Sequence, residues 1–149
     1  MRAVIQRVSQ AQVETGGRIT GVIGHGLVVL AGIHRADTEK DLAWMVDKIL
    51  HLRIFDDDQG VMNRSLADAG GALLVVSQFT LHGDCRKGRR PSWNEAAPPE
   101  QARLLYDQFL ALCRERPVMV QAGVFQAEMQ LSLTNSGPVT ILLDSHKIF

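Results

Sequence analysis

Residues 2 to 14 are rich in Val, Ile and Gln, and Thr15-Gly16-Gly17-Arg18 behind them is a turn signal. Ile19 to Ile23 then predicts the returning strand of a hairpin. After Gly24-His25-Gly26, the unbroken apolar run Leu27 to Ile33 predicts a strand buried on both faces. The pattern changes at Thr38-Glu39-Lys40-Asp41, which resembles a capping box with Asp41 at the third helical position. Leu42, Met45, Val46, Ile49 and Leu50 follow at helical spacing, so a helix is predicted over about residues 39 to 51. A second helix is predicted from Pro99, with Ala102, Leu105, Tyr106, Phe109, Leu112 and Cys113 on its inner stripe and Pro117 ending it. Leu52 to Phe55 and Leu73 to Leu81 are expected as strands. Two more, Glu128 to Thr134 and Val139 to Leu143, are expected around a hairpin turn at Asn135-Ser136-Gly137-Pro138. Many strands and two helices predict an α+β protein. Mostly antiparallel sheets are expected, in a barrel-like or sandwich arrangement flanked by the helices.

With 149 residues and no linker, repeat or charge block, a single domain over 1–149 is expected. Acidic and basic side chains balance at 16 each, so affinity for a polyanion must come from local clustering. The two cysteines, Cys85 and Cys113, have no CxxC-type partner and are expected as reduced thiols. The opening Met1-Arg2-Ala3-Val4-Ile5-Gln6-Arg7 lacks the apolar run of a signal peptide, and no 18-residue apolar stretch occurs. A cytoplasmic protein is expected, and no cofactor or metal.

Five segments hold candidate chemistry. Asp56-Asp57-Asp58-Gln59-Gly60 resembles a calcium loop, but the twelfth position, where the bidentate glutamate belongs, is Ala67. A solvated hairpin turn is the better reading. His82, Asp84 and Cys85 crowd a strand end without metal or nucleophile spacing, and His25, His34, His51 and His146 are scattered singly. Arg86-Lys87-Gly88-Arg89-Arg90, ahead of Pro91-Ser92-Trp93, is the densest basic cluster and the place where RNA phosphates would dock. Ser77-Gln78-Phe79-Thr80-Leu81 puts polar side chains at a strand end, though without the GxSxG elbow of a serine hydrolase. In Asn135-Ser136-Gly137-Pro138, glycine permits positive φ while proline fixes its own and offers no N–H. Such a pair can leave carbonyls outward as rigid acceptors for an ammonium group.

Ser77-Gln78-Phe79-Thr80-Leu81 together with Asn135-Ser136-Gly137-Pro138-Val139-Thr140 resembles the motif pair of the D-aminoacyl-tRNA deacylases. The likeness extends to Met1 through Val8, to Lys87-Gly88-Arg89-Arg90-Pro91-Ser92 and to Gly123-Val124-Phe125-Gln126-Ala127-Glu128-Met129. It implies a homodimer with active sites at the subunit interface and aminoacyl-tRNA as substrate. It further implies a cis Gly137-Pro138 bond that reaches into the partner's pocket, receives the amino group and rejects L side chains, with Arg7 anchoring that loop. Ser77, Gln78, Phe79 and Thr80 are implied around the 3′-terminal adenosine and the ester, with Phe125, Ala127 and Met129 as the remaining wall. The resemblance thus makes Thr80, Gln78 and Ser77 the catalytic candidates. Gly137, Pro138, Phe79, Phe125, Ala127, Met129, Asn135 and Arg7 become substrate-binding candidates, and Arg86, Lys87, Arg89 and Arg90 tRNA-binding ones. Trp93 and Gln126 depart from residues common in the family.

The expected reaction is release of a D-amino acid from tRNA. Glycyl-tRNA, including glycine mischarged on tRNA(Ala), is expected as a further substrate, since a filter on side-chain direction cannot reject glycine. The ester is already activated, so a positioned water and help for the oxyanion can suffice; ribose 2′-hydroxyl assistance is implied by the resemblance. Two alternatives remain: a non-enzymatic RNA-binding module on the 86–90 loop, and a thiol or serine hydrolase using Cys85 or Ser77 with His82.

Overall fold

Period-two alternation divides the long strands between two cores. The computed structural model describes residues 1–149. β1 (Arg2–Thr15) turns through Gly16 and Gly17, both at positive φ, into β2 (Arg18–Ile23). β3 (Gly26–Gly32) pairs antiparallel with the first half of β1, and β2 with its second half. The chain then crosses through α1 (Glu39–His51) and the small hairpin of β4 (Phe55–Asp56) and β5 (Met62–Arg64) to β6 (Ala72–Ser77), parallel to β3. A second crossover through α2 (Pro99–Arg114) leads to β7 (Val120–Ala122), parallel to β6. Finally β8 (Gln130–Asp144) runs antiparallel to β1 along nearly its whole length. At Gly21 in β2 an added Cβ would stand 3.1 Å from the Ala122 carbonyl of β7. The sheet therefore curls almost into a closed barrel.

On the outer side, Met1 and, from β1, Ala3 and Ile5 join Leu27, Val29 and Ala31 of β3 and Leu73 and Val75 of β6 under both helices. On the inner side, Val8, Ala11 and Val13 meet Ile23, Val28, Leu74 and Val76. The α1 helix occupies its expected span and buries the five expected residues. Its Thr38 N–H and hydroxyl both donate to Asp41 Oδ2, at 2.9 and 2.8 Å, which completes the cap. In α2, Leu105, Tyr106, Phe109, Leu110 and Cys113 are buried, while Ala102 and Leu112 are only half-covered. No helix is long and apolar enough to cross a membrane.

The main sheet is mostly antiparallel as expected, and its two parallel pairings arise where each helix serves as a crossover. Three expectations are corrected. The strand expected over 73–81 stops at Ser77, and Phe79–His82 form a single 3₁₀ turn. Only Phe55 of the 52–55 segment enters a strand. The tail is one strand, not a hairpin. Both halves of β8 run the same way along β1, with Gln6 opposite Thr140 and Val8 opposite Asn135. Residues 136–139 thus bulge out of the ladder as a short excursion.

Asp56 to Gly60 is a hairpin turn whose Asp57 carboxylate accepts the Gln59 and Val61 N–H groups at 2.9 and 3.0 Å. His34, His82 and His146, scattered in sequence, gather instead: the His34 ring lies 5.4 Å from that of His82 and 4.9 Å from that of His146.

Backbone approaches tightly at the start of the β3–β6 pair, where a Cβ on Gly26 would sit 1.9 Å from the Ala72 carbonyl oxygen. Gly26→Ala is expected to cost about 3 kcal/mol or more, since backbone must shift. Gly24→Ala, which points into open space, is expected to stay within about 0.5 kcal/mol of wild type. Urea denaturation of the two variants checks this; equal midpoints would contradict it.

Candidate active site

Parallel β3 and β6 end side by side, and the chain beyond each builds the walls of one cavity. It measures about 750 Å³ and is mostly apolar. Ala31 and Ile33 come from the end of β3, and Val76 and Ser77 from the end of β6, with Gln78 and Phe79 just beyond. The carboxyl ends of parallel strands are where such sheets leave room for a ligand. A third wall is the segment from Trp93 to Pro99, pinned to β3 by Ala97 N–H donating to the Ile33 carbonyl at 3.0 Å. Tyr106 closes the floor from α2, its hydroxyl donating to the Val75 carbonyl at 3.2 Å. Phe125, Gln126, Ala127, Met129 and Leu131 complete the lining.

Six expected site residues therefore meet in one place: Ser77, Gln78, Phe79, Phe125, Ala127 and Met129. Thr80 stands beside them, its hydroxyl oxygen accepting from the Gln78 side-chain amide. That bond leaves the Thr80 hydroxyl hydrogen free to donate. The 3₁₀ turn starting at Phe79 leaves the Phe79 and Thr80 N–H groups without backbone acceptors. Phe79 is exposed and meets Trp93 edge-on, ring centroids 5.3 Å apart. Trp93 in turn packs on Gly83, where a Cβ would come within 2.7 Å of the indole. The run Trp93 to Pro99 was missed as a wall; its small residues and prolines look like an ordinary loop in sequence.

Burial holds Cys113, Tyr106 and His82 in their neutral forms. Burial pushes the Cys113 thiol up to about 12 and raises the Tyr106 phenol as well. His82 is buried, and neither ring nitrogen reaches a partner; burial pushes its pKa down, so the ring is neutral at pH 7. No hydrogen bond links His82 to Ser77 or Cys85, and the nucleophile–base pair of the hydrolase alternative is not assembled.

Arg7, Asn135, Gly137 and Pro138 do not line this cavity. Arg7 lies on β1, and Asn135, Gly137 and Pro138 belong to the excursion of β8. Gly137 and Pro138 are exposed at its tip, joined by a cis peptide bond, with Gly137 at φ 131°. Asn135 closes the neck: its Oδ1 accepts the Val139 N–H at 2.7 Å and its Nδ2 donates to the Val139 carbonyl at 3.2 Å. Arg7 is buried and donates to the Ser136 carbonyl at 3.0 Å, the Ile54 carbonyl at 2.7 Å and Asp56 Oδ1 at 3.2 Å.

The 86–90 loop is exposed and closed by mutual Asp84–Ser92 backbone bonds. Arg86 is tied to Asp84 by two side-chain bonds of 2.9 and 2.7 Å, which hold the Asp84 carboxyl down at about 2. Lys87, Arg89 and Arg90 are left without an ion-pair partner.

The chain is a near-barrel with two crossover helices and an apolar cavity at its parallel strand ends, the kind of concave apolar place where organic ligands bind. Residues 4–144 match the family model described as D-Tyr-tRNA(Tyr) deacylase. The chain is 61% identical over its full length to the whole of a D-aminoacyl-tRNA deacylase from Kosmotoga olearia, and 57% identical, again end to end, to one from Desulfotalea psychrophila. Among solved structures it resembles the c-Myc DNA unwinding element binding protein, with TM-score 0.92, 45% identity and coverage of 97% of this chain and 98% of that one. A probable eukaryotic D-amino acid tRNA deacylase shares the fold at TM-score 0.78 and 20% identity, over 95% and 97% of the two chains. The chain belongs to the D-Tyr-tRNA(Tyr) deacylase family, a family of enzymes.

Replacing Arg7 by Met removes the charge but leaves the Ser136 and Ile54 carbonyls without their donor. A loss of about 2–4 kcal/mol is expected by denaturant titration, with faster hydrogen exchange at the Val139 amide. Unchanged exchange there would show that Asn135 alone holds the excursion.

Proposed function

We propose that this protein hydrolyses the ester between a D-amino acid and the 3′-terminal ribose of tRNA, working as a homodimer. The observation that carries the reading is the division of the site. One chain supplies a cavity lined by Ser77, Gln78, Phe79, Phe125, Ala127 and Met129, and a stiff exposed excursion that lines no part of it. A twofold pairing resolves this, with each Gly137–Pro138 tip entering the partner's cavity. The exposed Leu142 on the same strand supports a covered face there.

In the pocket the terminal adenosine occupies the apolar cavity and the ester lies by Thr80. The partner's Gly137 and Pro138 carbonyls accept the substrate ammonium. With ammonium and ester direction both fixed, only the D side chain points into free space, and glycine passes for want of a side chain. The free N–H groups of Phe79 and Thr80 and the Thr80 hydroxyl stabilise the oxyanion as water attacks the carbonyl carbon and the ribose oxygen leaves. The ribose 2′-hydroxyl assists, and a terminal 2′-deoxyadenosine substrate is expected to react slowly. Lys87, Arg89 and Arg90 contact phosphates further along the tRNA; Arg86, neutralised by Asp84, contributes least.

Purified protein is expected to deacylate D-tyrosyl-tRNA at least about 100-fold faster than L-tyrosyl-tRNA; comparable rates would overturn the chiral filter. Thr80→Ala is expected to lower kcat about 100-fold with KM little changed. Gly137→Ala, whose new Cβ would lie 2.7 Å from Val139 Cγ2 and 3.0 Å from the Arg7 guanidinium, is expected to lose both activity and stereoselectivity. Mixing the two variants and allowing subunits to exchange is expected to restore about a quarter of wild-type activity, the statistical yield if cavity and tip come from different chains. Absence of restoration in a proven heterodimer would place both halves of the site in one subunit.

A further inference from the structure

At the rim of the cavity, outside the expected site, stands Arg103. It lies on the exposed side of α2, and its guanidinium carbon sits 4.7 Å from the centroid of the Phe125 ring. Phe125 is a cavity wall, and its ring centroid lies 5.5 Å from that of Tyr106 at the floor. The guanidinium is thus held by stacking at the mouth, and stacking leaves its in-plane N–H donors available. A single long bond of 3.4 Å to Gln126 Oε1 engages one of them. No carboxylate lies within salt-bridge distance.

Gln126 itself is unusual. Its backbone sits at φ 63°, a left-handed conformation that side-chain-bearing residues seldom adopt. It lines the cavity and steadies Arg103 at once. A fixed, unpaired cation beside an apolar cavity calls for a ligand that is apolar at one end and anionic one covalent step away. Under the proposed function, on which this inference rests, the cavity holds an adenosine. The nearest anion on that ligand is the phosphodiester on its 5′ side, joined directly to the ribose.

We propose that Arg103, positioned by Phe125 and Gln126, binds the phosphodiester preceding the terminal adenosine and so draws the acceptor end of the tRNA into the cavity. Arg103 is a binding and positioning residue; it stays clear of the ester. Arginine suits this role better than lysine, because its planar donors remain aligned while the ring supports its face.

The test compares wild type with R103Q and R103K on D-tyrosyl-tRNA and on D-tyrosyl-adenosine, which lacks the phosphate. R103Q is expected to lower kcat/KM on the tRNA ester about tenfold, through KM, and to leave the adenosine ester unaffected. R103K is expected to fall between. The salt dependence of tRNA binding, as log K against log salt, is expected to flatten by about 0.7 for R103Q, one single-strand phosphate contact. In a direct binding assay AMP is expected to outcompete adenosine on wild type, and this preference is expected to vanish in R103Q. Equal losses on both esters, or no loss on the tRNA ester, would overturn the proposal. If wild type releases no amino acid from either ester the deacylase reading itself fails, whereas an AMP preference that depends on Arg103 would still establish the phosphate contact.

Discussion

An arginine stands where alternation calls for an apolar residue, and much of the architecture follows from satisfying it. Ala3 and Ile5 face the helix-side core, and the next position in phase is Arg7. Burying a guanidinium is costly unless its donors are matched. Here the acceptors come from two distant segments: the Ile54 carbonyl and Asp56 ahead of and within the small hairpin, and the Ser136 carbonyl in the last strand. One side chain thereby ties β1 to the lead-out of α1 and to the excursion of β8. The register of β8 slips against β1 at this level, between Gln6 and Val8 and again between Val8 and Gln10. With Ser136 held from below and the neck closed by Asn135, the Gly137–Pro138 tip has little freedom. Under the proposed function, carbonyls on such a backbone receive the substrate ammonium without first losing entropy, and geometric selectivity needs that stiffness.

The cavity arises from a different constraint. Two parallel pairings force two crossovers, and both helices pack on one side of the sheet over a shared core. The chain leaving β6 cannot continue as strand, since it must turn through Phe79–His82 to reach the Trp93–Pro99 wall and α2. Like any helix start, that 3₁₀ turn offers no acceptor to its own first N–H groups. The donors left at Phe79 and Thr80 are thus a by-product of topology, set where two strands end.

Local patterns made much of this legible. Helical spacing and the Thr38–Asp41 box marked α1 to the residue, because its apolar stripe and cap are both written within thirteen positions. The Ser77–Thr80 and Phe125–Met129 segments were recognisable as parts of one site by resemblance, and they do share a cavity. What stayed hidden depends on distant partners. Asn135-Ser136-Gly137-Pro138 has the composition of a hairpin turn; only pairing of both flanks with β1 shows a bulged single strand. β7 is three residues long and has no periodicity to detect. Ala96, Ala97 and Pro98 are too bland to announce a wall. His34, His82 and His146 meet only after the sheet has formed. Arg103 was hidden for the same reason: in sequence it is one more exposed helical cation, and only Phe125 and Gln126, more than twenty residues away, give it a place.

The electrostatics of the site suit an ester that is activated before it arrives. Tyr106 at the cavity floor is driven toward its neutral form by burial, and no charged side chain lines the cavity. The cavity therefore contributes dipoles, not titrating charges, and an apolar lining strengthens each dipole it surrounds. Charge is kept at the periphery, on Arg103 at the mouth and on Lys87, Arg89 and Arg90 in the exposed loop. On a chain whose formal charge sums to zero, that placement separates two tasks. Under the proposed function, peripheral cations hold the polyanionic part of the substrate, and the neutral interior together with the partner's backbone hook sorts the amino acid by shape. A charge inside the pocket would attract either enantiomer equally, so handedness has to be judged where contacts are short, rigid and uncharged.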